Sequence, residues 1–127
     1  MNKVITYKDR AGNDEITDYI KDLDQKAHTS KDARIKYKKI LEYMGQLEKY
    51  GVSAGKPAID HIEGTDLWEL RPLRDRIFFA YWKDNVFILL HHFLKKTQKT
   101  PLREINKAQR NLKDFLERYG DENEHDN

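Results

Sequence analysis

The hydrophobic and polar residues of the N-terminal part alternate in a pattern that predicts a short strand followed by a helix. Residues 3–8 read Lys-Val-Ile-Thr-Tyr-Lys, a run rich in residues that favour strands. Gly12 and Asn13 end that run, and Asn13 is a candidate N-cap for the helix. The helix is predicted from an apolar stripe at i, i+3, i+4 and i+7, which consists of Ile16, Tyr19, Ile20 and Leu23.

A second amphipathic helix follows after a short link, with Thr29 or Ser30 as its N-cap and Gly51 as its C-terminal stop. Its apolar stripe consists of Ala33, Tyr37, Ile40, Leu41, Met44 and Leu47. Two helices joined by a short link are expected to form a helical hairpin. Residues 51–66 contain several glycines and a proline, and this segment is predicted to be irregular.

Three strands and a final helix are predicted for the rest of the chain. The strands cover roughly residues 67–72, 75–83 and 86–95. Thr100 caps the helix, Pro101 takes its first position and Gly120 ends it. Its inner face consists of Leu102, Ile105, Ala108, Leu112, Phe115 and Leu116. The order β-α-α-β-β-β-α predicts an α+β fold in which a small antiparallel sheet packs on helices.

A two-residue turn at Asp84-Asn85 would set the register of the last two strands and place Phe78 opposite His91. One sheet face is then almost wholly apolar and should pack on the helices: Trp68, Leu70, Ile77, Phe79, Tyr81, Val86, Ile88, Leu90, His92 and Leu94. The other face mixes aromatic and polar residues: Glu69, Arg71, Arg76, Phe78, Ala80, Trp82, Phe87, Leu89, His91, Phe93 and Lys95. A slip of one residue would exchange the two sets.

Composition narrows the class of protein. The chain is 38% hydrophobic and 36% charged, but 11% aromatic residues supply large side chains, so we expect a folded domain with a thin core. There is no cysteine, which excludes a disulfide framework. No apolar run has the length of a membrane span or the form of a signal peptide, and a cytoplasmic location without membrane contact is therefore expected.

Charge is distributed unevenly along the chain. Residues 1–66 carry 12 basic and 12 acidic side chains, whereas residues 67–110 carry 10 basic and only 4 acidic ones. Residues 119–127 hold four acids and no base. We expect one domain over residues 1–120 and an acidic, flexible tail over residues 121–127. The basic stretch indicates a polyanion or an acidic partner, although a merely solvated face has the same composition.

The basic residues gather at one end of the mixed sheet face. Arg71 and Arg76 should face each other across the turn at Leu73-Arg74, and His91 and Lys95 lie on the neighbouring strand. Attack of an RNA 2′-hydroxyl on its own phosphate needs positive charge on the phosphorus and groups that exchange protons. Two guanidinium forks suit the phosphate. The histidine and the lysine are candidates for acid and base.

Each of these residues also has a structural interpretation. Adjacent strand histidines point to opposite faces, so His91 and His92 do not form a zinc site, and no metal or cofactor is expected. His92 is expected to be buried and hydrogen-bonded, and for His91 the structural and functional interpretations are evenly matched. A lysine-rich loop such as residues 95–99 is more often solvated than functional.

Three motifs in this region resemble those of a known family. They are Leu67-Trp68-Glu69-Leu70-Arg71, then Arg76-Ile77-Phe78-Phe79, and then Leu89-Leu90-His91-His92-Phe93-Leu94-Lys95-Lys96-Thr97-Gln98-Lys99-Thr100-Pro101, with Glu104 and Ala108 behind. This pattern resembles the phage-derived, HigB-like branch of the RelE/ParE toxin superfamily. The resemblance spans roughly residues 60–116.

The resemblance implies a RelE-like fold and the toxin of a type II toxin–antitoxin system. The implied activity is metal-independent cleavage of messenger RNA on the ribosome, which arrests translation and growth. The implied partner is a helix-turn-helix antitoxin, through which alone the chain would meet DNA. Carried onto this chain, the catalytic residues are Arg71, Arg76, His91 and Lys95, and the RNA-binding residues are Arg74, Lys96 and Lys99.

Two other functions fit the same residues. A ParE-like protein would inhibit DNA gyrase without cleaving nucleic acid, and it would need no acid–base pair. A pure binding module would use the basic patch to hold an acidic partner.

Overall fold

The computed structural model describes residues 1–120, and the predicted acidic tail lies outside the described residues. The chain forms an α+β fold, which confirms the predicted class. Its elements are β1 (Lys3–Thr6), α1 (Glu15–Lys26), α2 (Lys31–Tyr50), a 3-10 turn (Gly51–Ala54), β2 (Ile59–His61), β3 (Trp68–Leu70), β4 (Asp75–Tyr81), β5 (Val86–Leu94) and α3 (Leu102–Tyr119). No helix within residues 1–120 is long and apolar enough to cross a bilayer.

The helix starts differ slightly from the prediction. Asp14, not Asn13, is the N-cap of α1: its carboxylate accepts from the Thr17 amide at 3.0 Å and from the Thr6 hydroxyl at 2.5 Å. The cap therefore also joins α1 to β1. Ser30 caps α2 as expected. At α3, the proline takes the cap position itself, so the helix begins one residue later than predicted.

The sheet has five strands in the order β1-β5-β4-β3-β2, and it is mixed. Neighbouring strands are antiparallel except β1 and β5, which run parallel. The predicted sheet was antiparallel, and the structure adds this one parallel pair. The short β2 was predicted as irregular chain. It pairs with β3, with Ile59 opposite Leu70, and three residues beside glycine and proline have too little pattern to show a strand.

The turn between β4 and β5 is the one predicted at Asp84-Asn85. Both residues have positive φ, +52° and +62°, and the Val86 amide donates to the Lys83 carbonyl at 2.8 Å. Positive φ at both central positions defines the type I′ turn, whose twist suits a hairpin.

The register of this hairpin changes once along its length. At the far end Phe78 lies opposite His91, as predicted, but Phe79 lies opposite Leu89. Leu90 has no partner in β4 and forms a β-bulge. Because of the bulge, the side chains of residues 86–90 point to the sheet face opposite to the one predicted, so the prediction was wrong for these residues. The side chains of residues 91–95 follow the predicted register.

Both sheet faces are covered by helices. On one face, strand residues including Ile77, Phe79 and Leu89 pack against α1 and α2. On the other, strand residues including Phe78 and Leu90 pack against α3. The second face was predicted to mix aromatic residues with polar residues. α3 covers its apolar end and leaves the polar end, with the predicted site, at the rim of the sheet.

Candidate active site

Four of the seven predicted site residues line one cleft. Arg74, Arg76, Lys95 and Lys96 surround an open volume of about 310 Å³ together with Thr97 and Gln98. The cleft forms where β4 begins and β5 ends, and the Lys95 amide donates to the Arg74 carbonyl at 2.8 Å to hold the two segments together. Side chains far apart in the chain thus become one cationic surface.

Arg76 is the buried member of this cleft. Only 8% of it is exposed, and its Nη1 donates to the carbonyls of Leu73 and Asp75, each at 2.8 Å. Its Nε has no hydrogen-bond partner within residues 1–120. Burial lowers the pKa of Arg76, while the nearby Glu69 carboxylate acts to raise it. The guanidinium is therefore fixed in orientation and retains an unused donor.

Arg71 lies beside the cleft, between two carboxylates. Its Nε is 3.6 Å from Glu69 Oε1 and its Nη1 is 3.7 Å from Asp60 Oδ2, both longer than a hydrogen bond. Arg71 Nε and Glu69 Oε2 are buried without a hydrogen-bond partner in the described part of the chain. Burial raises the pKa of Glu69, and the charges of Arg76, Arg71 and Lys95 oppose that shift without cancelling it.

Unpartnered buried polar atoms are concentrated at this end of the sheet. Within residues 1–120 they are Glu69 Oε2, Arg71 Nε, Asp75 Oδ2 and Arg76 Nε. Each such atom costs about 1–3 kcal/mol unless something pairs with it. A native protein that keeps several of them together usually does so for a ligand, a water molecule or a catalytic role. The arrangement therefore marks the end of the sheet where the two arginines lie as the candidate site.

His91 shares the sheet face but does not line the cleft. Its Nδ1 lies 2.7 Å from Glu15 Oε1 and its Nε2 lies 3.3 Å from Glu104 Oε1, so α1 and α3 hold both ring nitrogens. Burial acts to lower the pKa of His91, but the two carboxylates outweigh it and raise that pKa. An imidazolium whose two N–H groups are both used has no lone pair with which to accept a proton.

The position of Glu15 follows from the length of β1. β1 pairs with β5 only as far as Leu89, which leaves the next backbone donors on that edge without a strand partner. Glu15 Oε1 accepts from the His92 amide at 2.6 Å as well as from the His91 ring. Burial acts to raise the pKa of Glu15, but these hydrogen bonds lower it. The carboxylate thus replaces the missing strand at this point.

His92 points to the opposite face and is hydrogen-bonded, as expected. Its Nε2 lies 2.9 Å from Asp75 Oδ1, which also accepts from the Tyr19 hydroxyl at 2.8 Å. The rings of His92 and Tyr19 stack with centroids 3.7 Å apart. Burial acts to raise the pKa of Asp75, but these two hydrogen bonds lower it. These contacts hold Asp75, the first residue of β4, next to Arg76 in the chain.

Sequence reasoning missed several partners at this site. Glu15, Glu104 and Asp60 were not connected with the basic residues, because each lies on an element whose place in the fold was unknown. Glu69 was predicted on the mixed face with Arg71 and Arg76, but its lack of a hydrogen-bond partner was not predicted. Lys99 is exposed and does not line the cleft.

Comparison with models of protein families identifies a family to which the chain is similar. The family described as "Phage derived protein Gp49-like (DUF891)" matches residues 18–113. That range includes all four cleft residues, as well as Glu69, Arg71 and His91, and it is well over half of the chain. No curated protein matches the chain significantly.

Proposed function

The chain belongs to the family of phage-derived Gp49-like proteins, a RelE-like toxin family, and on this premise we propose that it is a toxin that cleaves messenger RNA. The observation that carries the proposal is the cationic cleft with buried, unpaired guanidinium donors beside it. The partner that such a family suggests is an antitoxin. The proposal places the chain in the HigB-like branch, with a helix-turn-helix antitoxin, the ribosome as site of action and the cytoplasm as location.

In the proposed reaction an RNA phosphate lies between Arg71 and Arg76. The Nε atom of each guanidinium has no hydrogen-bond partner within residues 1–120. Hydrogen-bond donors directed at the charge that develops in the transition state usually make the largest contribution to catalysis. Because Arg76 is already held by two carbonyls, little reorganisation is needed when the phosphorane forms.

The cleft also supplies proton transfer and RNA binding in this proposal. Lys95 lines the cleft and is the proposed donor to the leaving oxygen. Arg74 and Lys96 contact flanking phosphates, and Lys99 extends the basic surface from the adjacent loop. His91 keeps a place at the site as a positioning residue: its two carboxylate contacts hold α1 and α3 around the sheet.

Mapping of RNA 5′ ends after induction in cells tests this function. The wild type should produce new ends inside coding regions. Arg76→Ala should abolish them and restore growth, since it removes the buried phosphate donor. The matched control is Arg110→Ala on α3, an exposed residue outside the cleft, which should cleave like the wild type. Growth arrest without new ends would reject the proposal, and inhibited supercoiling would then favour gyrase inhibition.

A further inference from the structure

Glu69 is a buried carboxylate without an evident structural task. It lies on β3, opposite Asp60 of β2 and Phe78 of β4, and only 5% of it is exposed. Its carboxylate makes no hydrogen bond to any of residues 1–120, and the Oε2 atom is buried and unpartnered. A carboxylate kept for stability is normally hydrogen-bonded, because burying one without partners costs free energy.

Charged groups surround Glu69 from every strand near it. Arg71 Nε, directly after β3, lies 3.6 Å from Glu69 Oε1. The charges of Arg76 on β4 and of Lys95, directly after β5, also act on Glu69, and the charge of Asp60 on β2 opposes them. None of these cationic side chains donates a hydrogen bond to the Glu69 carboxylate. The carboxylate therefore lies beside the cations proposed to hold a phosphate, and no hydrogen bond within residues 1–120 uses its oxygens.

We propose that Glu69 is the proton acceptor of the cleavage reaction, a role that rests on the proposed RNA-cleaving function. An RNA 2′-hydroxyl beside the phosphate would donate its proton to the Glu69 carboxylate. The freed 2′-oxygen forms a bond to phosphorus, and the bond from phosphorus to the 5′-oxygen breaks. The leaving 5′-oxygen takes a proton from the Lys95 ammonium. The products are a 2′,3′-cyclic phosphate and a 5′-hydroxyl, and solvent returns the proton from Glu69 to Lys95.

The surroundings of Glu69 suit this task. Burial raises the pKa of its carboxyl group above the ordinary value of 4.5, which makes it a stronger base than a solvated glutamate. The positive charges of Arg76, Arg71 and Lys95 oppose that rise in the pKa of Glu69. Across the same face, both ring nitrogens of His91 are bound to carboxylates, whereas the Glu69 carboxylate has no hydrogen-bond partner within residues 1–120.

Cleavage of messenger RNA on purified, programmed ribosomes tests the proposal. Glu69→Gln keeps the shape of the side chain and removes its basicity, so single-turnover cleavage should fall by about 10²–10⁴-fold. Glu69→Asp should recover part of the loss. Glu63→Gln, an exposed glutamate in the β2–β3 loop, is the matched control and should cleave at the wild-type rate. Thermal melting of each variant measures folding separately.

The pH profile separates a chemical role from a structural one. The wild-type rate should rise with pH as the base, whose pKa lies above the ordinary value of 4.5, loses its proton, and Glu69→Gln should lose this rise. If Glu69→Gln cleaves like the wild type, or keeps the same rise, the assignment of Glu69 is wrong although the protein is a ribonuclease. If the wild type makes no cut, the proposed function fails and the assignment fails with it.

Discussion

At the scale of single residues, two neighbouring histidines have different surroundings because they lie on opposite faces of β5. His92 belongs to the Asp75–Tyr19 group under the start of β4. His91 bridges Glu15 of α1 and Glu104 of α3. The contribution of this bridge to the free energy of unfolding depends on pH, because the bridge requires a protonated His91 ring and an ionised carboxylate.

The stability contributed by His91 should therefore depend on pH in a defined direction. Its pKa is raised in the folded protein, so the contribution is complete below the ordinary value of 6.5 and is lost as pH rises through the raised pKa. The pKa of Glu15 is lowered, so its contribution is present above 4.5 and is lost as pH falls through the lowered pKa. The bridge is strongest between these limits.

His91→Gln should cost about 1–2 kcal/mol of unfolding free energy near pH 6, because it removes hydrogen bonds to charged groups that are partly exposed. The loss should shrink as pH rises above the raised pKa of His91. Urea denaturation at a series of pH values measures it. His28→Gln, at an exposed histidine, is the control and should show no such trend. A difference that is constant across pH would contradict the bridge.

At the scale of elements, the β4–β5 hairpin positions the site through a turn at one end and a bulge in the middle. The turn at Asp84-Asn85 starts the pairing, and the bulge at Leu90 shifts it by one residue. Beyond the bulge Arg76 lies opposite Phe93, which places the arginine and Lys95 on the same face. Without the bulge, the apolar first half of β5 would face the wrong helices.

Substitutions at Asn85 should test how far this turn determines hairpin stability. Asn85→Val forces a β-branched side chain to positive φ and should cost about 1–2 kcal/mol. Asn85→Gly should be at least as stable as the wild type, because glycine adopts this conformation without strain. Chemical denaturation measures both. Lys3→Val adds the same side chain at an exposed strand position and is the control. An Asn85→Val variant as stable as the wild type would show that the turn does not matter.

At the scale of the whole molecule, the distribution of charge, more than the shape of the cleft, determines what the candidate site can bind. The cleft is open and carries four cations, while the net charge of the chain is only +2. α1 carries acidic residues on its exposed side, including Asp18, Asp22 and Asp24. Polyanions should therefore meet the molecule at the cleft, and bare RNA should bind weakly because few phosphates are engaged.

The salt dependence of RNA binding should reflect about 3–5 phosphate contacts, which gives a log–log slope of about −2 to −3.5 for single strands. An Arg74→Ala, Lys96→Ala double variant should make the slope shallower by about 1.4. Fluorescence anisotropy with a labelled RNA measures this at several salt concentrations. Lys31→Ala with Lys38→Ala on α2 removes equal charge outside the cleft and should leave the slope unchanged. Nanomolar affinity at physiological salt would contradict the prediction.

The sequence alone determined the features that depend on neighbouring residues. The apolar stripes of the helices, the helix caps and the Asp84-Asn85 turn each depend on residues that are close together in the sequence. Local periodicity and turn-forming residues therefore predict them. The same local order identified the fold class and the basic end of the sheet. Glu69 was visible on β3, but nothing nearby in the chain showed that it lacks a partner.

The features that join distant segments of the chain depend on the tertiary structure. The parallel pairing of β1 with β5, the bulge at Leu90 and the covering of both sheet faces depend on how elements pack together. Glu15 and His91 are 76 positions apart, and their contact exists because β1 ends early and leaves an edge for the carboxylate. Such contacts reflect burial and unpaired backbone groups, which the whole fold creates and no local pattern encodes.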